Sequence, residues 1–194
     1  MPHRPDLPPP DPAPHTRWQV GTGRSEPDSA GALARQITAA LAAAGHTVAA
    51  AESLTAGRLA TVLADAPGAG QAFLGAIVAY DTDLKAELLD VDSGLLAEHG
   101  AVHPDVAAQM AEGVRAATGA TYALATTGVA GPAPQDGQPV GTVYVAAATP
   151  HGTVTAAPGP VPGCREDVEE RTVLAALRLL HGLLRPPGEA PRAP

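Results

Sequence analysis

The chain has 194 residues, room for one domain rather than two, and a net charge of −8 with 12 Lys and Arg. Such a balance excludes a general nucleic-acid-binding surface, which needs clustered cations, although a small anionic ligand needs only one or two. No run approaches the ~20 apolar residues of a membrane span, and Cys164, the single cysteine, allows neither an intramolecular disulfide nor a CxxC zinc motif, so the expectation is a cytoplasmic protein.

Residues 1–27 are crowded with prolines and show no apolar periodicity, which predicts a disordered leader; 186–194 read the same way as a tail. Between them, 28–185 form the expected folded unit. Leu33, Ile37 and Leu41 recur at helical spacing from Ser29 to Ala44, with Asp28 or Ser29 as cap and Gly45 as stop. A strand over Thr47 to Glu52 follows. A helix is then expected over Thr55 to Asp65, halted by Pro67-Gly68, and a second strand over Leu74 to Tyr80. Thr82 opens a short helix carrying Lys85, Ser93 to His99 forms another, and Pro104 sits in the first turn of a longer one with Val106, Met110 and Val114 on one face, ending at Gly119. Tyr122 to Thr126 reads as a buried strand. After a polar loop at 133–139, Val140 to Ala148 and Thr153 to Ala157 form a hairpin, and Glu166 to Leu184 a closing helix. Alternating strands and helices followed by a hairpin predict a single-domain three-layer α/β/α sandwich with a mixed β-sheet. Its interior is rich in Ala, Val and Leu, which implies closely approaching elements.

Ser53 lies at a strand-to-helix junction, a place where a side chain is displayed above a sheet edge beside backbone N–H groups. It reads either as an N-cap or as a nucleophile, with Leu54 and Thr55 supplying N–H groups to an oxyanion. Lys85, 32 residues on, reads either as a surface charge or as the base such a serine needs. To act as base it must lose about 3 units of pKa through desolvation or a neighbouring cation. Tyr80 is placed to wall off water or relay a proton; Asp81 works against a neutral lysine unless its carboxylate points away. Glu52 alternates to the strand face opposite Ser53, as an orienting or a structural acid. The segment Thr127-Gly128-Val129-Ala130-Gly131-Pro132 matches no Walker or GxGxxG pattern, yet two glycines after a strand let backbone approach a ligand. Arg165, opening the last helix, is a candidate phosphate contact. Seven histidines lack metal-ligand spacing, so no metal site is expected.

Ala51-Glu52-Ser53-Leu54-Thr55-Ala56-Gly57, Tyr80 with Lys85, His99-Gly100-Ala101-Val102, the segment Thr127 to Pro132, and Pro139-Val140-Gly141-Thr142-Val143 occur in the order found in the CinA C-terminal domain family, which the chain resembles from about Ala32 to Leu184. That resemblance implies a nicotinamide-nucleotide amidase of pyridine-nucleotide salvage. Such an enzyme hydrolyses nicotinamide mononucleotide to nicotinic acid mononucleotide and ammonia, with Ser53 as nucleophile, Lys85 as base, Tyr80 beside them and no cofactor. Leu54, Thr55, Thr127 to Pro132 and Arg165 are then the expected substrate contacts. The partner implied is the small nucleotide, with no membrane and no general nucleic-acid binding; the oligomeric state stays open, a homo-oligomer included. The chain departs from the family pattern at Leu54 and Ala56 (commonly AESCTGG), at Asp81, at His103, and at Glu169, where a second arginine is usual. These departures leave two alternatives: an amidase or esterase with a different small substrate, and a non-catalytic competence or DNA-repair accessory, as the family's historical name implies. Many members carry a further N-terminal domain with a metal-dependent pyrophosphatase activity, which is not expected of the proline-rich leader.

Overall fold

The computed structural model describes residues 29–185, so the leader and tail read from the sequence lie outside the described residues. The element order is α1 (Ala30–Ala44), β1 (Val48–Glu52), α2 (Arg58–Ala64), α3 (Ala69–Ala72), β2 (Phe73–Val78), α4 (Thr82–Leu89), α5 (Ser93–His99), α6 (Pro104–Thr118), β3 (Tyr122–Gly128), β4 (Val143–Thr149), β5 (Gly152–Ala156) and α7 (Arg165–Leu184). The strands form one mixed sheet in the order β2-β1-β3-β4-β5; the first three are parallel and β4 and β5 antiparallel.

Strand alternation sends two sets of side chains to two helical layers. Val48, Ala50, Leu124, Val145 and Ala147 pack under α1, α2, α3 and α7 with Ile37, Leu41, Leu59, Leu63, Leu177 and Leu180. Ala49, Ala51, Ala123, Ala125, Ala146 and Ala148 face the other way, onto α6 and its neighbours, against Val106, Met110 and Val114. That second face of the sheet is built of alanine alone at its centre, so the bulk filling this layer comes from α6. Ser29 caps α1 by accepting from the Ala32 N–H (3.2 Å), and Gly45 closes it at φ +66°, as its position past the apolar stripe requires.

Several boundaries differ from the expected ones. The second helix begins at Arg58 rather than Thr55, because residues 53–57 form a turn with Ala56 at φ +47° and Gly57 at φ +97°. The second strand ends at Val78: Asp81 caps α4 through its side chain, and the connector 79–81 turns its carbonyls toward Lys85. The short helix α3 had no periodicity long enough to announce it. The hairpin's first strand starts at Val143 because Gly141, at φ +88°, donates to the Val129 carbonyl and accepts from the Val161 N–H, a bend rather than a ladder.

The topology decides where chemistry can occur. Ser53, Ala79–Tyr80 and Gly128 stand at the C-terminal ends of the three adjacent parallel strands β1, β2 and β3. The β1-to-β2 connection runs through α2 and α3 on one face, and the β2-to-β3 connection through α4, α5 and α6 on the other. A crevice at strand carboxyl ends, where connections part to opposite faces, is the ordinary ligand position of an open α/β sheet.

Candidate active site

One cleft at that edge is lined by Ser53, Leu54, Tyr80, Gly128, Val129, Ala130, Gly131 and Arg165, together with Ala133 and Gln135. Residues from four separate stretches of sequence thus meet in one concavity. Ser53 is the floor. Its N–H donates to the Thr126 carbonyl (3.0 Å), which extends the β1–β3 pairing one residue and fixes the serine above the sheet. The Ala56 N–H donates back to the Ser53 carbonyl (3.1 Å), closing a turn whose central residues are Leu54 and Thr55. Among the described residues the N–H groups of these two donate to no protein acceptor.

The amides opening α2, which a strand-to-helix junction leads one to expect free beside Ser53, are already taken. The N–H groups of Gly57, Leu59 and Ala60 at the start of α2 all donate to the Glu52 carboxylate. The two turn amides at Leu54 and Thr55 keep no protein acceptor. Ser53 is not the N-cap either: Gly57 holds that place and makes no side-chain cap bond.

Lys85 is wholly buried, and its ammonium donates to three backbone carbonyls, those of Ala79 (2.9 Å), Tyr80 (3.2 Å) and Asp81 (3.2 Å). The Ala79 N–H donates to the Glu52 carbonyl (2.9 Å), so the ammonium is anchored on the connector adjoining the Ser53 turn. A Ser53–Lys85 hydrogen bond is not among those formed. All three N–H donors of the charged ammonium are taken by carbonyls, and Lys85 is not among the residues that line the cleft with Ser53, so the expected dyad is not a bonded pair. Burial pushes Lys85 down to about 8 from its ordinary 10.5, while the charges of Asp81 and Asp136 pull it back up. The Asp81 carboxylate does point away: its Oδ1 accepts from the Asp83 N–H (2.9 Å) as the cap of α4.

Tyr80 is 57% exposed, and its hydroxyl accepts from Arg165 Nη1 (3.4 Å) rather than meeting Lys85. Arg165 also donates through Nη2 to the Gly131 carbonyl, spanning the cleft from α7 to the glycine segment. Glu169, one turn along α7, lies 3.7 Å from Arg165 Nη1 and accepts from Arg58 Nε at 2.5 Å. Glu169 thus bridges two arginines at this end of the cleft.

Gly128 cannot be replaced without disturbance: at φ +155° a Cβ would lie 2.5 Å from the Thr142 carbonyl oxygen. Of the remaining expected contacts, Thr127 and Thr55 hold walls rather than line them. The Thr127 hydroxyl donates to the Ala101 carbonyl (2.7 Å), and the Thr55 hydroxyl bonds Glu52 (2.7 Å) and Thr126 (2.7 Å). Pro132 follows a cis peptide at Gly131 and lies outside the lining. The Leu54 side chain points inward, packing with Ala130, Val143, Val161 and Val168 beneath the cleft.

Sequence reasoning missed Asp136. Asp136 and Gly137, at φ +51° and +71°, form the tip of a tight hairpin closed by the reciprocal Gln135–Gln138 bonds (3.1 and 2.8 Å). Asp-Gly at a two-residue tip was the available signal. The Asp136 carboxylate then accepts from the Ala101 N–H (2.7 Å), latching this loop beside Gly100 and leaving Gln135 in the cleft wall.

The family model for the CinA C-terminal domain matches residues 30–184. The chain belongs to the CinA family. It is 53% identical over 138 residues to a CinA-like protein of Frankia casuarinae, covering 71% of this chain and 32% of that relative, so it spans about a third of the length of the relative it matches. Two crystal structures share the fold. A competence-damaged protein (CinA) superfamily protein from Escherichia coli superposes with a TM-score of 0.77 at 29% identity, covering 84% of this chain and 94% of that one. A competence/damage inducible protein from Agrobacterium tumefaciens gives 0.76 at 30%, covering 88% and 100%. Family membership and the single-domain mixed-sheet α/β fold expected from the motifs both stand.

Proposed function

We propose that this CinA-family chain hydrolyses the carboxamide of nicotinamide mononucleotide, giving nicotinic acid mononucleotide and ammonia. The observation that carries the reading is the convergence of Ser53, Leu54, the Gly128–Gly131 backbone and Arg165 in one cleft, with a buried lysine of lowered basicity against the adjoining connector.

Ser53 Oγ attacks the carboxamide carbon, and its proton passes to neutral Lys85. Loss of one ammonium proton leaves a lone pair in place of one carbonyl bond, which frees the amine to turn toward the serine. The carbonyl oxygen, now an oxyanion, accepts from the Leu54 and Thr55 N–H groups. Collapse expels ammonia, with the proton from Lys85 completing the leaving group; water then attacks the Ser53 ester, and Lys85 takes and returns a proton to release the acid and regenerate the hydroxyl. Arg165 and the glycine backbone hold the ribose-phosphate end.

A second reading, a Ser/Lys amidase for an uncharged amide, is favoured by one observation: Glu169 partly neutralises Arg165. Ammonia release from nicotinamide mononucleotide, nicotinamide riboside and free nicotinamide separates the two. The nucleotide reading predicts the highest kcat/KM for the mononucleotide. Equal rates with riboside and nucleotide favour the second reading, and no ammonia from any of the three removes both.

A further inference from the structure

We propose that Glu52 is a positioning residue for acyl transfer, its enclosed carboxylate holding the Ser53 turn so that the Leu54 and Thr55 N–H groups face the cleft. The inference rests on the amidase reading of Ser53.

Glu52 closes the run Val-Ala-Ala-Ala-Glu of β1 and is completely shielded from solvent. A carboxylate removed from water needs either a cation or a full set of donors. Among the described residues no ion pair includes Glu52; donors surround it instead. Oε1 accepts from the Ala60 N–H at 2.8 Å, and Oε2 from the Thr55 hydroxyl at 2.7 Å, the Gly57 N–H at 3.0 Å and the Leu59 N–H at 3.1 Å. Thr55 in turn bonds Thr126 on the neighbouring strand. One side chain therefore ties residues 55, 57, 59 and 60 to the strand that bears the nucleophile.

Capping alone does not call for this arrangement. An ordinary N-cap uses one small acceptor at the helix mouth and leaves the remaining amides to solvent. Here the acceptor reaches from the preceding strand and collects three amides that would otherwise lie beside the nucleophile, while Ala56 is held at φ +47°, a conformation that side-chain-bearing residues seldom adopt. What stays without a protein acceptor is the pair of amides at the centre of the turn, Leu54 and Thr55. The carboxylate's own charge opposes a nearby developing oxyanion, so a purely electrostatic role and a positioning role predict opposite effects of neutralising it.

Glutamine keeps the size of Glu52 but offers an NH2 group where N–H donors need an acceptor. The test uses the full chain and measures the second-order rate of Ser53 labelling by an alkyl fluorophosphonate, alongside kcat and KM for nicotinamide mononucleotide. With two oxyanion donors misplaced, Glu52→Gln should slow labelling and kcat by at least about 30-fold, with KM changed less than about threefold. Thr55→Val removes one of the four donors and should slow both about fivefold. Labelling by Glu52→Gln at the unaltered rate or faster overturns the positioning role, as does a raised KM with unchanged kcat. If circular dichroism shows Glu52→Gln unfolded, Thr55→Val decides: an unchanged labelling rate overturns the inference and a slowed one supports it. Failure to label Ser53 in the unaltered protein removes the nucleophile, and with it both readings; normal labelling in the Glu52 variant removes only the role of Glu52.

Discussion

The two ends of the cleft are built from different materials. At the Ser53 end, everything that positions the chemistry is backbone or buried side chain: the turn closed on the Ser53 carbonyl, the Glu52 carboxylate and the enclosed Lys85. At the Arg165 end the groups are long, exposed side chains, with Arg165 about two-fifths exposed and Tyr80 more than half. Their partners are a carbonyl, a phenol and a glutamate. The first end is fixed by the strands. The second is set by a few surface side chains, with Glu169 pairing to Arg165 and Arg58. On the proposed reading, reaction type belongs to the rigid end and substrate preference to the adjustable one.

That division can be broken most sharply at the nucleophile. Ser53→Ala should lower kcat/KM by at least about 10³-fold, while its melting temperature stays close to that of the unaltered protein, since the hydroxyl makes no cap bond. A variant that loses activity by unfolding would show Ser53 to be structural. Lys85→Arg should be nearly as inactive, because guanidinium keeps its proton at any working pH. Its extra bulk at a fully enclosed site should also cost about 1–3 kcal/mol, read by urea denaturation.

The pH dependence sharpens the same end. With Lys85 near 8, kcat/KM should rise with pH through a limb at about 8. The sign for stability follows from the unfolded lysine holding its proton up to about 10.5. Between these values the unfolded chain binds more protons, so the destabilising contribution of Lys85 is present in full below pH 8 and is relieved as pH rises from 8 toward 10.5. A rate limb that persists unchanged in Lys85→Met, measured on its residual activity, would assign the titration to another group.

The adjustable end should give smaller effects. Nicotinamide mononucleotide should be preferred over its riboside by about 2 kcal/mol, roughly 30-fold in kcat/KM, and Arg165→Ala should shrink that preference. Smaller still, Glu169→Gln should release Arg165 from its ion pair and lower KM for the nucleotide a few-fold, because the pair is partly exposed and screened. An unchanged nucleotide-to-riboside ratio in both variants would detach this end of the cleft from phosphate.

How far the molecule could be read from its residues follows the same division. Apolar periodicity and turn residues placed most of the elements, and short motifs put Ser53, Tyr80, Gly128 to Gly131 and Arg165 in one cleft, because each ends or follows an element whose pattern is local. What was not legible depended on contacts distant in sequence or on buried polar satisfaction. The alternation rule placed Glu52 on the face away from Ser53 but could not show that three amides of the next helix turn back to meet it. Nor does spacing show that the Lys85 ammonium is held by three carbonyls of its own connector, or that Asp136 reaches the Ala101 amide across a gap of 35 residues. A carboxylate ending an apolar strand was the one signal available for Glu52, since such a group must find donors.

The central claim, that Ser53 carries the acyl group of the nucleotide, is tested most directly by rapid quenching of the full chain with nicotinamide mononucleotide, followed by intact-mass and peptide mass spectrometry. The account predicts a transient adduct on Ser53 with the mass of the nucleotide less ammonia, absent from Ser53→Ala and accumulating when deacylation is slow. Formation of nicotinic acid mononucleotide by Ser53→Ala at the unaltered rate, or an adduct on any other residue, would contradict it.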